Sequence, residues 1–578
     1  MKTIIKKYFT TLVLLTGVFS LSQAQKDTIS PELTKTIKVQ SEYTPQISDV
    51  VRLSVNPVAY DTLDLHVDLK YSIQSTPIET AYTIKPLKPV SVKGDKLPEL
   101  FRGYAALGLG NYNSTYFNVR YMTERSRNKQ YGFELYHLGS AGKVRFSNDE
   151  KYPAGYSHTY LNAYGKKFFT NCIGTAAVKP SFNNVLKYGH QPYDATMLGI
   201  IPDTSFRKKD IRRNFIVMNT KIGLQSNTSD NAKLRYTSEL EHNLTIVNPK
   251  STENNLNLNI SANQQFDQIK TGAELQVFWS GINFTPIDTN LTKNATLVRL
   301  LPHVGTTVDD WTLRVGINVM QSFGISKFKA YPDVQFDYNL FNYSLIPFVR
   351  YSGKLQEYSL CNILTENPYT SDYTMLEPTN YKMLLDLGAK GRVQRSFPFL
   401  VSCNISQFEN LYFWVNDTLA TNDAQNSFTA VYDNGTEVTI HAETGVKHKL
   451  LDINVEANYN MYSLDSLDKA WHRPGFESKF TCKYNIINPL TNKNKLIVSS
   501  QIMYEDLLYA QDINGNAKKM NPIFDVNLGL EYYYNSVFVI FANVNNITAT
   551  KYSNYYLYPN QRTNFLIGLT YSFAGLKL

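Results

Sequence analysis

The feature that most constrains the fold is a strict two-residue alternation of apolar and polar side chains. The C-terminal run TNFLIGLTYSF, Thr563–Phe573, places large apolar residues at every second position and mostly small or polar residues between them. The large residues are Phe565, Ile567, Leu569, Tyr571 and Phe573. A period of two puts alternate side chains on opposite faces of a β-strand. The same pattern recurs at 451–461, 476–486 and 524–534, which predicts a chain built largely of such strands.

The length of these runs separates two all-β architectures. Strands of soluble sandwiches span about 5 or 6 residues, whereas a tilted strand needs about 9 to 11 residues to cross a bilayer. The runs above each span eleven residues, and the second face of 451–461, 476–486 and 524–534 carries charged residues. A lipid-facing apolar side and a water-filled lumen satisfy both faces. The pattern therefore predicts a transmembrane antiparallel β-barrel, closed because no backbone group is left unpaired in lipid.

The links between the runs alternate between tight and long. Tight links are expected at 447–449 and 535–536, and long ones at 463–473, 509–522 and 545–563. Such alternation is typical of periplasmic turns and extracellular loops. GLGNYN, Gly108–Asn113, is interpreted as the turn after the first barrel strand, since it lacks the third glycine and the helix of a phosphate-binding loop. We count about 22 strands from residue 100 to 578, and any even number from 14 to 22 fits the pattern.

The N-terminal part of the chain predicts two segments of a different kind. Residues 1–24 have a basic start, a short apolar stretch and small residues before Gln25, which is the pattern of a secretory signal peptide. Residues 25–99 are proline-rich and are interpreted as an extended segment that acts as a periplasmic arm or partial plug. Export predicts a location in the outer membrane of a Gram-negative cell.

The charged face of the strands supplies the candidate site. The predicted lumen-lining residues are Asp452, Glu456, Glu477, Lys479, Lys483, Asp525 and Glu531. Two interpretations of these charges stay open at this point. They tune the passage of solutes, as rings of charge do in channels, or they pair across neighbouring strands and fill the lumen.

Composition excludes several other classes of function. The formal charge of +9 includes three lysines of residues 1–24, which leaves +6 for the rest of the chain, and no recognition-helix pattern accompanies it. We therefore expect no nucleic acid partner. The four cysteines, Cys172, Cys361, Cys403 and Cys482, are far apart and allow three pairings, among which the sequence does not choose. No cofactor and no metal site is expected.

The end of the chain resembles a known family. NVNNITATKYSNYYLYPNQRTNFLIGLTYSF, Asn543–Phe573, resembles the C-terminal end of TonB-dependent receptors, with an Asn-rich turn, a Tyr-rich loop and a final strand ending in Tyr-Ser-Phe. The segments 408–417 and 428–448 are similar to a late hairpin of that family, and the Tyr and Asn richness resembles outer-membrane barrels of Bacteroidota. The resemblance implies that the alternating apolar residues of 565–573 form the barrel-end signal. The chain departs from that family in one respect: only residues 25–99 separate the predicted signal peptide from the barrel, so we expect the family's plug domain to be missing.

Three functions follow as expectations. The first is a channel or transporter across the outer membrane. The second is a non-transporting structural subunit of an outer-membrane assembly or secretion complex, which binds protein partners through residues 25–99 or through the long loops. The third, a hydrolase, is disfavoured because His158, His441 and His472 show no spacing typical of outer-membrane hydrolases, so we predict that the protein is not an enzyme.

Overall fold

A computed structural model describes residues 101–573, apart from 125, 147–150, 190–210, 229, 232, 249–250, 285–290, 324–326, 373, 395, 418–426, 491–492 and 513. The predicted signal peptide and the segment 25–99 lie outside the described residues. Within the described ranges, no helix combines the length and the apolar character needed to cross a membrane.

The described chain forms one closed antiparallel barrel of 22 strands, β1 to β22. Each strand pairs with the next in sequence, and β22 pairs with β1 from Gly103 opposite Phe573 to Gly110 opposite Leu566. Closure leaves no strand edge without a partner. This confirms the predicted all-β barrel and the count of 22.

The barrel strands in chain order are Gly103–Gly110, Ser114–Met122, Lys129–Ser140, Tyr156–Phe168, Cys172–Leu186, Arg212–Ser226, Arg235–Asn248, Ser251–Phe266, Ile269–Phe284, Leu291–Val308, Trp311–Ser322, Lys327–Tyr338, Leu345–Gln356, Thr379–Val393, Phe397–Asn416, Phe428–Lys447, Leu451–Leu464, Phe476–Ile487, Asn494–Asp506, Ile523–Tyr533, Phe538–Asn545 and Asn564–Phe573. Three two-stranded ladders lie in the links, at Lys143–Arg145 with Lys151–Pro153, Tyr509–Gln511 with Ala517–Lys519, and Ser553–Tyr555 with Tyr558–Pro559. The described helices are α1, Leu360–Glu366, and a 3-10 turn, Asn111–Asn113, which follows β1 as predicted.

The period of two sorts the side chains of each strand by face. On β22 the exposed fractions of Phe565, Ile567, Leu569 and Tyr571 lie between 44% and 58%. On β1, Leu107 is 59% exposed and stands directly opposite Leu569. These side chains belong to an apolar surface that continues across the seam between the first and last strands. Such a surface is stable only against lipid or detergent.

The seam depends on glycine. Gly568 of β22 stands opposite Gly108 of β1, and a Cβ atom at position 568 would collide with the Leu107 carbonyl oxygen and the Phe541 ring. Any larger residue would therefore push the first and last strands apart.

The two ends of the barrel differ. Links at one end, the short-link end, are 123–128, 169–171, 227–234, 267–268, 309–310, 339–344, 394–396, 448–450, 488–493 and 534–537. The other end, the long-link end, carries 141–155, 187–211, 357–378, 417–427, 465–475, 507–522 and 546–563 besides a few tight turns. The predicted alternation of short and long links is confirmed, and the long links create most of the structure outside the barrel wall.

Candidate functional site

Ion pairs cross-brace part of the inner wall. On β9 to β12, Arg314 Nη2 lies 3.1 Å from Glu274 Oε1 and its Nη1 lies 4.0 Å from Asp333 Oδ1. Arg299 Nε donates to Asn318 Oδ1 at 2.9 Å. Similar contacts elsewhere on the wall are Lys221–Glu241 at 3.3 Å, Arg350–Asp386 at 3.4 Å and Lys390–Asp337 at 3.3 Å. The charged side chains on this part of the wall therefore pair with one another across neighbouring strands. This arrangement is the second of the two interpretations that the sequence left open.

The seven predicted lumen-lining residues lie on β17, β18 and β20, on the other side of the ring. Asp452 stands opposite Lys483 in the strand register, and Glu456 stands opposite Lys479. They alternate with exposed apolar neighbours such as Val455. None of these four charges has an ion pair within 4 Å among the described residues.

The remaining three predicted residues have different surroundings. Glu477 stands opposite Asn458 on one side and Glu505 on the other. Glu531 accepts a hydrogen bond from Tyr533 Oη at 3.1 Å. Asp525 accepts from Tyr552 Oη at 2.7 Å and from the Asn546 backbone at 3.1 Å, so it anchors the 546–563 link. The structure thus gives Asp525 a role in holding a link, and the lumen-lining role of the set stays a prediction.

A polar cavity of about 870 Å³ lies against the inner wall toward the short-link end. Its lining is mostly Asn, Gln, Ser and Thr, with Arg235, Lys270, His303, Arg314 and Asp337 among them. Side chains of this kind exchange hydrogen bonds readily with water and with polar solutes.

The 357–378 link, called the crossbar below, contains α1. Ser359 caps the helix, because its hydroxyl oxygen accepts a hydrogen bond from the Asn362 backbone N–H at 3.2 Å. Leu360, Ile363 and Leu364 share one helical face and are almost fully buried. The helix is therefore held by packing on that face, since seven residues do not form a stable helix alone.

One side of the crossbar is attached to β6 and β8. The Glu253 carboxylate on β8 accepts from Ser280 Oγ at 2.7 Å and from the Cys361 backbone N–H at 3.4 Å. Arg213 on β6 donates to the Thr370 carbonyl at 2.6 Å and to the Pro368 carbonyl at 3.2 Å. Both charged side chains are buried, so these hydrogen bonds offset a large desolvation cost.

The other side of the crossbar is attached to β15 and to the 546–563 link. The Glu366 carboxylate accepts from Trp414 Nε1 at 2.8 Å and from the Tyr412 hydroxyl. Tyr555 Oη donates to the Glu366 carbonyl at 2.7 Å. In the ring, β6 lies seven strands before β13 and β21 lies seven strands after β14. The crossbar therefore extends over the mouth and joins well-separated parts of its rim.

Around the crossbar lies an aromatic mouth cluster. Its buried members are Val144, Phe146, Ala154, Leu186, Tyr188, Ile211, Ile363, Leu376, Tyr412, Trp414, Phe428 and Tyr558. Tyr369 of the crossbar stacks on Tyr558 with ring centroids 3.8 Å apart, and Tyr188 meets the Tyr558 ring at 5.0 Å. Burial raises the pKa of Tyr369 to about 12 and the pKa of Tyr558 well above its ordinary value. These phenols therefore remain neutral in water of any ordinary pH.

His472, in the 465–475 link, completes this cluster. Its Nδ1 lies 2.8 Å from the Trp414 carbonyl, and its Nε2 lies 3.1 Å from the Tyr556 backbone N–H. Only the neutral tautomer with a proton on Nδ1 satisfies both contacts. Burial lowers the pKa of His472 to about 4, although the bond to Trp414 opposes the shift.

The histidines considered for catalysis lie apart. His441 Nδ1 lies 2.7 Å from Asn458 Oδ1, and His158 contacts Asn183. His472 is a buried structural group. Across the described residues, no group of three or more His, Cys, Asp and Glu side chains is arranged to hold a metal ion. All four cysteines are free thiols, which removes the three pairings that the sequence had left open.

These features define a class of protein: a large closed barrel with an apolar outer surface, a polar inner wall and a mouth that is spanned by the links between its own strands. No known family profile matches the chain, and no curated protein sequence matches it. Solved structures do match. The FrpB iron transporter from Neisseria meningitidis superposes with a TM-score of 0.61 at 11% identity, over 82% of each chain.

Two further matches have the same character. The copper transporter OprC gives a TM-score of 0.60 at 11% identity over 83% of this chain and 81% of its own. The siderophore receptor PiuA from Acinetobacter baumannii gives 0.58 at 11% identity over 83% and 82%. At such identities the likeness establishes the fold: this chain has the barrel of outer-membrane transporters and receptors.

Proposed function

We propose that the protein is an outer-membrane transporter for polar solutes whose outer mouth is gated by the crossbar. The apolar outer surface supports a membrane location, and the polar inner wall supports a hydrated path. The matched structures are an iron transporter, a copper transporter and a siderophore receptor, which supports transport as the general activity. A signal peptide at 1–24 and a periplasmic arm or partial plug at 25–99 belong to this proposal.

The observation that carries the proposal is the attachment of the crossbar to separated parts of the rim. A loop that only decorated the barrel would need contacts with its own neighbouring strands. The crossbar does contact the neighbouring strand β15, but it also reaches β6 and β8 through Arg213 and Glu253, and the 546–563 link through the Glu366 backbone carbonyl. Breaking these contacts would free the mouth while leaving the ladders between barrel strands intact.

The unpaired part of the inner wall is the proposed solute path. Asp452, Glu456, Lys479 and Lys483 have no ion pair within 4 Å in the described chain, whereas the β9–β12 side is cross-braced. Charges that are not already paired remain available to a passing polar solute. We assign Glu477, Asp525 and Glu531 to the same wall.

The test is conductance of the purified protein in planar bilayers. The double variant Arg213→Ala/Glu253→Ala removes the two buried charged anchors that attach the crossbar to β6 and β8. The control Lys167→Ala/Glu443→Ala removes one cation and one carboxylate toward the short-link end. Each is made with and without residues 25–99, because that segment is a second proposed obstruction. We expect the anchor variant lacking 25–99 to conduct and the control to resemble the wild type; silence of every variant would refute gating by the crossbar.

A second candidate function is a non-transporting subunit of an outer-membrane protein complex. The observation that favours it is the density of the mouth cluster, in which Phe428 and Tyr558 are almost completely buried. A mouth packed like a protein core is suited to a fixed platform. Mild detergent extraction followed by cross-linking tests it, since a stoichiometric partner protein is then expected and a lone barrel argues against it.

A further inference from the structure

A second cavity at the long-link end, of about 700 Å³, is separate from the crossbar. It lies between the turn after β1, the 141–155 link and the 546–563 link. Five cationic side chains line it, and in the part of the chain that the structure describes no Asp or Glu does. The cations are Lys143, Arg145, Lys151, Lys551 and Arg562. We call this the basic cavity.

The short ladder in the 141–155 link fixes three of these cations. Lys143–Arg145 pairs with Lys151–Pro153, and Val144 between the two cations is 3% exposed because it packs into the mouth cluster. Alternation then directs Lys143 and Arg145 away from that core. The anchoring of Val144 holds the cations in place on the cavity wall.

The opposite wall is equally well held. Asn560 donates from its backbone to the Tyr552 carbonyl at 3.0 Å, and Tyr552 Oη donates to Asp525. Asn111 Nδ2 donates to the Thr563 carbonyl at 2.8 Å, next to Arg562. The basic cavity is therefore formed in advance, and it lies above the seam where β22 meets β1.

The charges in the cavity oppose one another. Arg145 and Lys151 are direct partners in the ladder register, an arrangement that destabilises a strand pair. None of the five cations has an ion pair or hydrogen bond among the described residues. A bound polyanion would neutralise these like charges. The loss of their mutual repulsion would therefore add to the favourable free energy of binding.

We propose that the basic cavity binds a ligand that carries at least two phosphate groups. Five positive charges exceed what one phosphate neutralises, and guanidinium and ammonium groups both suit phosphate oxygens. The ligand comes either from solution, as a polyphosphate, or from the membrane, as the phosphorylated headgroup of a glycolipid. This proposal does not depend on transport, because no residue of the crossbar and neither Arg213 nor Glu253 lines the cavity.

The test is titration of the full-length protein in detergent with tripolyphosphate and, separately, with bilayers containing lipid A. The variant Arg145→Gln/Lys151→Gln removes two of the cations. Its control, Lys293→Gln/Lys327→Gln, removes two exposed lysines from the long-link end near β10 and β12. We expect binding to weaken about tenfold for each cation lost, the equivalent of one charge-assisted hydrogen bond, with the control unchanged.

The outcomes separate the sources and the alternatives. Binding of tripolyphosphate identifies a soluble ligand, and binding of lipid A bilayers alone identifies a headgroup. Failure of both probes, or equal loss in the control, overturns the proposal. Asp149 and Glu150 precede Lys151 in the sequence and lie outside the described residues, so Asp149→Asn/Glu150→Gln is the last variant. If this variant binds the probes as tightly as the wild type, the result supports the proposal. If only this variant binds them, the proposal is overturned for the native chain.

Discussion

Acidification should loosen the mouth cluster through one residue, His472. The neutral imidazole donates to Trp414 and accepts from the Tyr556 N–H, so a second proton would abolish the acceptor and place a charge in the aromatic cluster. The folded pKa is about 4, below the ordinary value of 6.5. A depressed pKa of this kind contributes stability that is complete above pH 6.5 and is lost as the pH falls toward 4.

The magnitude follows from these two values. When the pH falls from 7 to 5, His472 takes up a proton in the open state but stays neutral in the closed state. This difference lowers the free energy of opening by about 2 kcal/mol. The full loss, below pH 4, is about 3 kcal/mol. An opening equilibrium that depends on this residue should therefore shift about twentyfold between pH 7 and pH 5.

Amide hydrogen exchange of Tyr556 measures that equilibrium, because its N–H is bonded to His472 Nε2. After correction for the intrinsic pH dependence of exchange, protection should fall about twentyfold between pH 7 and pH 5 in the wild type. In His472→Gln, which keeps an acceptor but does not titrate, it should stay flat. The amide of Val277, in the β9 ladder, is the internal control. Constant protection in the wild type, or an equal fall in His472→Gln, would refute the reasoning.

Three further predictions concern the crossbar and the wall. Glu253→Ala leaves the Cys361 N–H without its carboxylate acceptor and should weaken the crossbar by about 1–3 kcal/mol, visible as faster proteolysis within 357–378, with Glu253→Gln retaining part of the contact. Leu107→Lys puts a charge on the apolar surface and should cost about 2–4 kcal/mol in urea unfolding from liposomes if the site lies at mid-bilayer, whereas Gln268→Lys, in the exposed 267–268 turn, should cost little. Gly568→Val should prevent closure of the seam, so the variant should lose the compact gel mobility of a folded barrel. Gly165→Ala on β4, where an added Cβ atom would meet nothing closer than 3.9 Å, should keep it.

The barrel could be predicted from the sequence because its signal is local and repeated. Every strand carries the same period of two, so the outward row of β22 and the charged rows of β17 and β18 are visible without any knowledge of pairing. The tight and long links follow from where the alternation stops. Closure then follows from the need to pair every backbone group in lipid.

The crossbar could not be predicted in the same way, because its contacts join distant parts of the chain. Arg213 and Thr370 are 157 residues apart, and Tyr555 and Glu366 are 189 apart, with no repeated pattern between them. One local signal was present: Ser359 precedes Leu360, Ile363 and Leu364, which is a capped apolar helix face in miniature. This signal predicts a short helix in the 357–378 link, but it does not identify the residues that the link contacts across the mouth.

The chemistry of the crossbar anchors determines how the mouth can open. Purely apolar contacts can be lost one by one, each at a modest cost. Arg213 and Glu253 are different, because each carries a charge in the buried interior, and a charge that loses its partner while still buried is strongly destabilising. Partial opening would leave one of these groups unpaired out of reach of water. Displacement of the whole crossbar instead hydrates both together, so the lower-energy route is a concerted movement between a closed and an open state. A gate of this kind has few intermediate conductances, so the protein that lacks residues 25–99 but keeps both anchors should open in discrete single-channel steps, whereas the anchor variant should give graded leakage.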